Sequence, residues 1–551
     1  MKKKEKSLKI RFLGGVGEIG KNITALEYGD DIIIIDAGLT FPSIDMPGID
    51  LVIPDTTFLT QNRDKIRGIV LTHGHEDHIG AMPYLLKEIN APVYGTKLTL
   101  ALAENKLIEH SVKGVKLNSV KPSSKVKLGC FAIEFINVNH SIPGACALAI
   151  TTPVGVVVHS GDFKIDLTPI NGNIVDITRF SEIGKKGVLL FMCESTNVER
   201  TGYSMSEQVV SETLDKIFAE NVKRRLIIAT FASNVYRIQQ IVNLAAKHKR
   251  KLAFLGRSMV NVVETAKKIG EINIPDGVLV EFDKLKNIQG KDLVILSTGS
   301  QGEPMSALTR LASDDINQVK VNNNDTIVIS ASPIPGNEKS IYNVINNLYR
   351  KGAEVLYDDL NSIHVSGHAC QEELKILHSL LKPKFFIPVH GEYRHLKKHC
   401  MLAKGMGMKE SNMLICDIGD TVELTARSMK RGESFHAGSR LVDGLNIDDA
   451  SSLVRDRVHL AEDGIIVAFS SVSAETGEFI QEPSFIFKGV VLNEEQINDC
   501  RNIVYKTLND FDVKDIGDTP ELRHRLRKAL KNYIYKKIKK TPMIVPVITK
   551  L

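Results

Sequence analysis

The sequence predicts an α/β protein in which a doubly wound α/β domain is inserted into a β-rich first domain, with a small β-then-α module at the end. Three observations predict it. Short apolar runs end repeatedly in His or Asp, and between about Thr201 and Leu360 strand, polar loop and helix alternate. The chain has 551 residues, 43% of them hydrophobic, which is ample for about three or four domains. It has no apolar run of ~18 residues, so a membrane-spanning segment is not expected.

The first domain starts with a decoy. Gly15-Val16-Gly17-Glu18-Ile19-Gly20 matches the dinucleotide fingerprint, with Asp36 at a tempting distance. That fingerprint needs a helix after its glycines. Here Asn22–Tyr28, Gly29-Asp30 and Asp31–Ile35 read as a β-hairpin instead, which argues against NAD. Next, Ile66 and Ile69-Val70-Leu71 read as a buried strand leading into Thr72-His73-Gly74-His75-Glu76-Asp77-His78. His73 and His75, two apart just past a strand, point the same way. Asp77 and His78 open a helix expected to run to Glu88. Imidazoles with carboxylates suit Zn²⁺ or Mn²⁺ better than Ca²⁺, so this run is a metal site.

Two ions need more ligands than one loop supplies. His140 ends the alternating run Phe131–Asn139, Asp162 follows Val154–Gly161, His390 follows Pro383–Val389, and Asp36 follows Asp31–Ile35. Each lies at the carboxyl end of an expected strand, where ligands gather on α/β sheets.

From Thr201 to Leu360, Leu226–Thr230, Leu293–Leu296 and Thr326–Ile329 each lead through a Ser/Gly/Asn-rich loop into a helix. That pattern is a doubly wound parallel sheet. The first domain resumes near Ile363. Asp443 to Asp463 reads as a polar connector, before strands at Ile465–Phe469 and Phe485–Val491 and helices at Glu494–Asn509 and Pro520–Lys539.

Net charge is +6, and Lys and Arg gather between Arg523 and Lys540. There Leu526, Leu530, Tyr533, Ile534 and Ile538 form one apolar helical face. The opposite, basic face is either a solvated surface or an attractor of phosphate backbones. Met543–Ile548 reads as a packed strand or a subunit contact. Seven cysteines without paired spacing argue against a disulfide framework and for a reducing, cytoplasmic setting. The basic N-terminus lacks an apolar core, so no secretory signal is expected.

In order, Asp36, His73-x-His75-x-Asp77-His78, His140, Asp162 and His390 resemble the motif series of the metallo-β-lactamase fold. With Glu194 in Cys193–Asn197, His368 in His364–Ala369 and His390 in Pro388–His395, the chain more narrowly resembles the β-CASP nucleases, among them bacterial ribonuclease J. The resemblance covers nearly the whole chain. It departs at Glu194, where Asp is expected in most ribonuclease J chains.

The resemblance implies an αββα sandwich over residues 1–200 and 361–442. It also implies an inserted β-CASP domain over 201–360, a linker over 443–463 and a C-terminal domain over 464–551. It implies two divalent ions, Zn²⁺ first with Mn²⁺ or Mg²⁺ as alternatives. His73, His75 and His140 would hold one; Asp77, His78 and His390 would hold the other; Asp162 would bridge, and Asp36 would fix ligand orientation. His368 with Glu194 is the implied general acid, and Asp77 shares the catalytic role. A pocket for an RNA 5′-monophosphate is implied at Ser233, Asn234, His364, Val365, Ser366, Gly367 and His368, with His364 adding a charge-assisted contact.

The activity implied is 5′→3′ exonuclease action on monophosphorylated RNA, with endonuclease activity, in mRNA decay and rRNA maturation. The partners implied are RNA, a second copy of the chain (as homodimer or homotetramer through the C-terminal domain), and a paralogue or RNA-degradation complex. The alternatives are a catalytically silent RNA-binding scaffold and a metallo-hydrolase of small esters. All seven ligand positions are filled, against the first, and a small ester needs no inserted domain, against the second.

Overall fold

The computed structural model describes residues 6–551 apart from 44, 171–173, 302, 304, 334–336, 358–362, 445, 449–450, 477 and 511–519. Contacts divide the chain into two units, residues 1–40 with 52–439, and residues 41–51 with 440–551.

The first unit contains a four-layer sandwich. One sheet has eight strands, in spatial order Met429–Arg431, Thr421–Leu424, Leu8–Gly14, Ile23–Tyr28, Asp31–Ile35, Ile66–Val70, Val93–Gly95 and Leu117–Ser119. The other has six, in order Phe385–Val389, Leu190–Glu194, Gly155–His159, Cys146–Thr152, Phe131–Asn137 and Lys125–Leu128. The all-isoleucine run at 32–35 follows from its place in the middle. Ile33 and Ile35 face the other sheet, packing in one core with Phe135 and Leu148. Ile32 and Ile34 face outward into a core shared with Met82, Leu85 and Leu102. A strand buried on both faces reads as a continuous apolar run. Helices Ile177–Lys186, Gln371–Leu381 and Tyr393–Gly405 cover the outside of the six-stranded sheet through Phe180, Leu374, Leu377 and Ala403.

The hairpin of Ile23–Tyr28 with Asp31–Ile35 forms antiparallel as expected. The helix expected to run to Glu88 is instead two pieces, Glu76–Ile79 and Met82–Glu88. Pro83 sits in the first turn of the second piece, where its missing N–H is tolerated, whereas it would break a continuous helix.

The inserted domain has five parallel strands, in order Lys251–Leu255, Leu293–Ser297, Arg225–Ala229, Asp325–Ile329 and Glu354–Leu356. Leu226 and Ile228 pack beneath helices Glu207–Glu220 and Val235–Lys247. Ile227 and Ala229 pack against Leu308, Leu311, Ile345 and Leu348 on the other face. After the insertion the chain returns as Phe385–Val389, parallel to Leu190–Glu194 with Glu194 opposite Val389. That register sets His390 beside Glu194, although 195 residues of chain lie between them.

In the second unit, Ile465–Val472 lies between Phe479–Lys488 and Met543–Lys550. The final apolar run is therefore a sheet strand, paired in parallel with Ile465–Val472. Helices Glu494–Asn509 and Pro520–Ile538 bury Cys500, Val504, Leu526, Leu530 and Ile534 against it. The stretch read as a connector is more ordered than expected, because Ser451–Asp463 is a helix. Its Arg, Asp and Glu suggested a solvated linker, but straight-chain charged residues are also good helix formers. Among the described residues no helix is long and apolar enough to cross a membrane.

Candidate metal centre

Seven side chains from four separate strand ends converge in the first unit. His73 and His75 follow strand Ile66–Val70, and His140 follows Phe131–Asn137. Nε2 of His73 lies 3.0 Å from Nδ1 of His75, which lies 3.1 Å from Nε2 of His140. Ligand nitrogens around one tetrahedral ion, with bonds of about 2.0–2.1 Å, stand about 3.3 Å apart. Burial and the neighbouring imidazoles lower all three pKa values, to about 3 for His75, about 4 for His140 and well below the ordinary range for His73. They are neutral lone-pair donors, the form a metal needs.

The second group is Asp77, His78, Asp162 and His390. Oδ2 of Asp162 lies 3.2 Å from Nε2 of His78 and 3.7 Å from Nε2 of His73, so one carboxylate oxygen reaches both groups. Oδ1 of Asp162 meets Nδ1 of His390 at 2.8 Å. Burial opposes charge on His390, but Asp162 and Asp77 outweigh it and push its pKa up to about 10. His78 is raised in the same way by Asp162, Asp77 and Asp36 against burial. The same histidines keep Asp77 and Asp162 well below the usual carboxylate range despite burial. Carboxylates that hold two protons here would hold a divalent cation in their place. The buried Nε2 of His390 makes no well-formed hydrogen bond and lies 3.3 Å from Oδ2 of Asp77, a spacing two ligands of one ion would have. The residues therefore fit divalent ions.

Buried partners aim the candidate ligands. Asp36 accepts the N–H of Thr72 at 2.7 Å and its hydroxyl at 2.8 Å, and lies 2.8 Å from Nδ1 of His78, leaving Nε2 toward Asp162. Nδ1 of His140 donates to the Gly367 carbonyl at 2.7 Å, turning Nε2 toward His75. A Cβ on Gly367 would stand 2.7 Å from that ring, so only glycine fits. Asp36 and His390 both have positive φ, 60° and 49°, a strained conformation that clusters at functional sites. Gly15, from the decoy loop, supplies the carbonyl that accepts the His390 N–H at 2.7 Å.

Beside the ligands, Nδ1 of His368 lies 2.8 Å from Oε2 of Glu194. Burial lowers the His368 pKa, but the Glu194 carboxylate more than compensates and holds it above its ordinary value. Its Nε2 makes no hydrogen bond among the described residues. Glu194 is fixed in turn by the Phe163 N–H at 2.9 Å.

The residues expected to hold phosphate are only partly free. Asn234 is buried and caps helix Val235–Lys247 by accepting the Arg237 N–H at 3.1 Å, and Ser233 precedes it at the same helix start. The Val365 side chain lies in the core, so only its backbone is available. Ser366 accepts from Asn197 at 2.7 Å and from the His368 N–H at 3.2 Å, which leaves its own proton to donate. His364 lies among cations. Burial and the nearby Arg237, Arg200 and Lys164 hold its pKa well below the usual range, and its Nδ1 accepts from Arg237 at 2.9 Å. Burial is the larger cause of its neutrality, and the cations add to it.

Sequence reasoning missed Asn22, which donates to the Asp77 carbonyl at 3.1 Å, and Asn197, which ties Ser366 to the His368 carbonyl. It also missed Arg237, fully buried on Glu207 at 2.7 Å. Asn197 stood within a quoted motif, but nothing local marks Asn22 or Arg237.

Comparisons with known proteins agree with this geometry. The chain matches the family models of the metallo-β-lactamase superfamily at residues 16–176 and of the ribonuclease J β-CASP domain at 223–348. It also matches a Zn-dependent metallo-hydrolase RNA specificity domain at 353–414 and the ribonuclease J C-terminal domain at 452–551. It is 42% identical to a protein named ribonuclease J from Synechocystis, over 98% of this chain and 86% of that one. It is 38% identical to ribonuclease J 1 of Streptococcus pyogenes, over 97% and 96%, and to ribonuclease J2 of Bacillus subtilis, over 99% of each. A crystal structure of a protein of unknown function from Enterococcus faecalis shares the fold, with a TM-score of 0.54 at 17% identity, over 76% of this chain and all of that one.

Proposed function

The chain belongs to the ribonuclease J family of metal-dependent ribonucleases, and from that premise we propose that it is a two-metal 5′→3′ exonuclease of 5′-monophosphorylated RNA. It also cuts internally, and it acts in cytoplasmic mRNA decay and rRNA maturation. One observation carries the reading: a single carboxylate oxygen of Asp162 lies between two complete ligand sets, with the His368–Glu194 pair beside it.

His73, His75 and His140 would hold one ion, Asp77, His78 and His390 the other, and Asp162 both. A pair of divalent ions, Zn²⁺ first with Mn²⁺ or Mg²⁺ as alternatives, activates water and stabilises charge developing on a phosphodiester. The chain's own residues do the rest. Asp36 and Gly367 keep the imidazoles in the ligating tautomer. Nε2 of His368 donates a proton to the leaving 3′-oxygen while Glu194 steadies the imidazolium.

The pocket reading is supported by topology. Connections from strands Arg225–Ala229 and Asp325–Ile329 leave in opposite directions, and α/β sheets bind ligands at such a switch point. The loop after the first strand leads to Ser233 and Asn234, and Ser330 from the second donates to the Ile363 carbonyl, just before His364. Backbone N–H groups there, the Ser366 hydroxyl and the positive surroundings of His364 suit a phosphate dianion. A 5′-phosphate held there sets the first linkage at the ligand cluster.

We also assign self-association to the C-terminal unit, where Val467, Phe469, Val545 and Val547 alternate with buried residues and stay partly exposed. Sedimentation of a Val467→Lys/Val545→Lys variant tests this, and an unchanged mass would reject it. The activity is tested with one RNA bearing a 5′-monophosphate, 5′-triphosphate or 5′-hydroxyl, under Mn²⁺ or Mg²⁺. The expected result is mononucleotide release from the monophosphate form alone, absent in His75→Ala/Asp77→Ala. Internal fragments regardless of the 5′ end would reject the pocket, and no cleavage under either metal would reject the nuclease reading.

A further inference from the structure

Helix Val235–Lys247 carries Gln240, only 2% exposed, and neither Oε1 nor Nε2 of its carboxamide has a hydrogen-bond partner. Leaving both ends of a buried amide unpaired is costly, and folded proteins rarely do so. Oε2 of Glu207 is unpartnered too, while its Oε1 takes Arg237 at 2.7 Å. Gln240 and Glu207 line one recess with His140, Lys164 and Asp166. The recess has room of about 20 Å³. One oxygen-sized group needs about 10–15 Å³, so a hydroxyl fits there and a phosphate or a nucleobase does not.

The free groups define the ligand further. Lys164 is already engaged by Asp166 at 3.5 Å and the Met205 carbonyl at 3.1 Å. The buried atoms left without a partner at the recess include one donor, Nε2 of Gln240, and two acceptors, its Oε1 and Oε2 of Glu207. The Glu207 carboxylate repels an anion, and an aliphatic group would leave all three unpaired. A hydroxyl accepts from Nε2 and donates to either acceptor. RNA carries such a group on every sugar, and DNA lacks it.

Position agrees. His140, which lines the recess, belongs to the first ligand set, and the helix carrying Gln240 starts at Asn234 in the proposed phosphate pocket. At about 1.5 Å per residue, Gln240 lies about 9 Å along the axis from Asn234. In the proposed placement of RNA, the sugar of a nucleotide spanning pocket and ligand cluster would pass this recess, which His140 and Gln240 both line.

We propose that Gln240, with Glu207, reads the 2′-hydroxyl of the nucleotide held between the phosphate pocket and the ligand cluster, so that this recess selects ribose over deoxyribose. The inference rests on the proposed placement of RNA.

The test is calorimetric titration of the Mn²⁺-loaded full-length chain, and of Gln240→Met, with UMP and with its 2′-deoxy analogue dUMP. Wild type should bind UMP roughly tenfold more tightly than dUMP, and the two should bind Gln240→Met alike. Melting temperature checks that the variant is folded, and the wild-type comparison needs no variant at all. Equal binding of the two nucleotides by wild type, binding of neither, or parallel weakening of both in the variant would overturn the proposal and leave the recess to ordered water. Sugar discrimination without 5′→3′ degradation of RNA would overturn the exonuclease reading and keep the recess.

Discussion

His378 and His399 are buried with their rings 4.6 and 4.7 Å from that of Phe386, and their Nε2 atoms meet at 3.2 Å. His78 and His390 are equally buried but face Asp162, at 3.2 and 2.8 Å. Burial holds the first pair low, His378 at about 4 and His399 well below its ordinary value. The second pair is raised, His390 to about 10, because carboxylates outweigh the same burial. A histidine cluster becomes a cation site when buried carboxylates supply the opposing charge, and a cluster without them is packing.

The sharpest way to break this comparison is Asp162→Asn. Removing the charge that reaches both groups should lower RNA hydrolysis by several kcal/mol of barrier, on the order of 10⁴ in rate. His378→Phe should leave activity within a few-fold in the same assay. A comparable loss in both would mean that the two clusters do not differ in kind.

His368→Ala should cost about 10²–10³ in rate if it is the general acid. Its pKa is raised, so it is protonated and active below that value, and activity falls as pH rises through it. Removing the supporting charge in Glu194→Gln should move this alkaline limb to lower pH in a kcat profile. An unmoved limb would mean that another group titrates. Smaller again, Asp36→Asn keeps the side chain's shape but loosens Thr72 and His78. It should weaken metal affinity about 10–100-fold in a chelator competition.

The smallest effect falls on the packed pair. A buried neutral histidine binds fewer protons folded than unfolded, so its stability contribution is full above the ordinary value of 6.5 and is lost as pH falls toward 4. His378→Gln/His399→Gln should flatten the fall in melting temperature over that window. It should not abolish the fall, since His159 is also depressed to about 4. A slope identical to wild type would show that the pair takes up protons in the fold as it does unfolded.

Sequence made the convergence of the candidate ligands legible because their segments follow apolar runs, and strand ends on one edge of a sheet converge. The insertion was legible from the strand–loop–helix alternation between Thr201 and Leu360. Second partners were not. Asn22 and Gly367 act through contacts made only when distant segments meet, and no local pattern marks an asparagine as bound for Asp77. The neutrality of His364 was not legible, because it follows from burial and from Arg237, 127 residues earlier in the chain. The helix at Ser451–Asp463 was missed because a charged helix and a charged linker have the same composition.

The central claim is two cation sets joined by one carboxylate, and counting ions tests it most directly. Elemental analysis of purified, metal-saturated protein should find two divalent ions per chain in wild type. It should find about one in His140→Ala and about one in His390→Ala, with the folded state checked by melting. One ion or none in wild type, or both ions lost from either variant, would contradict the account.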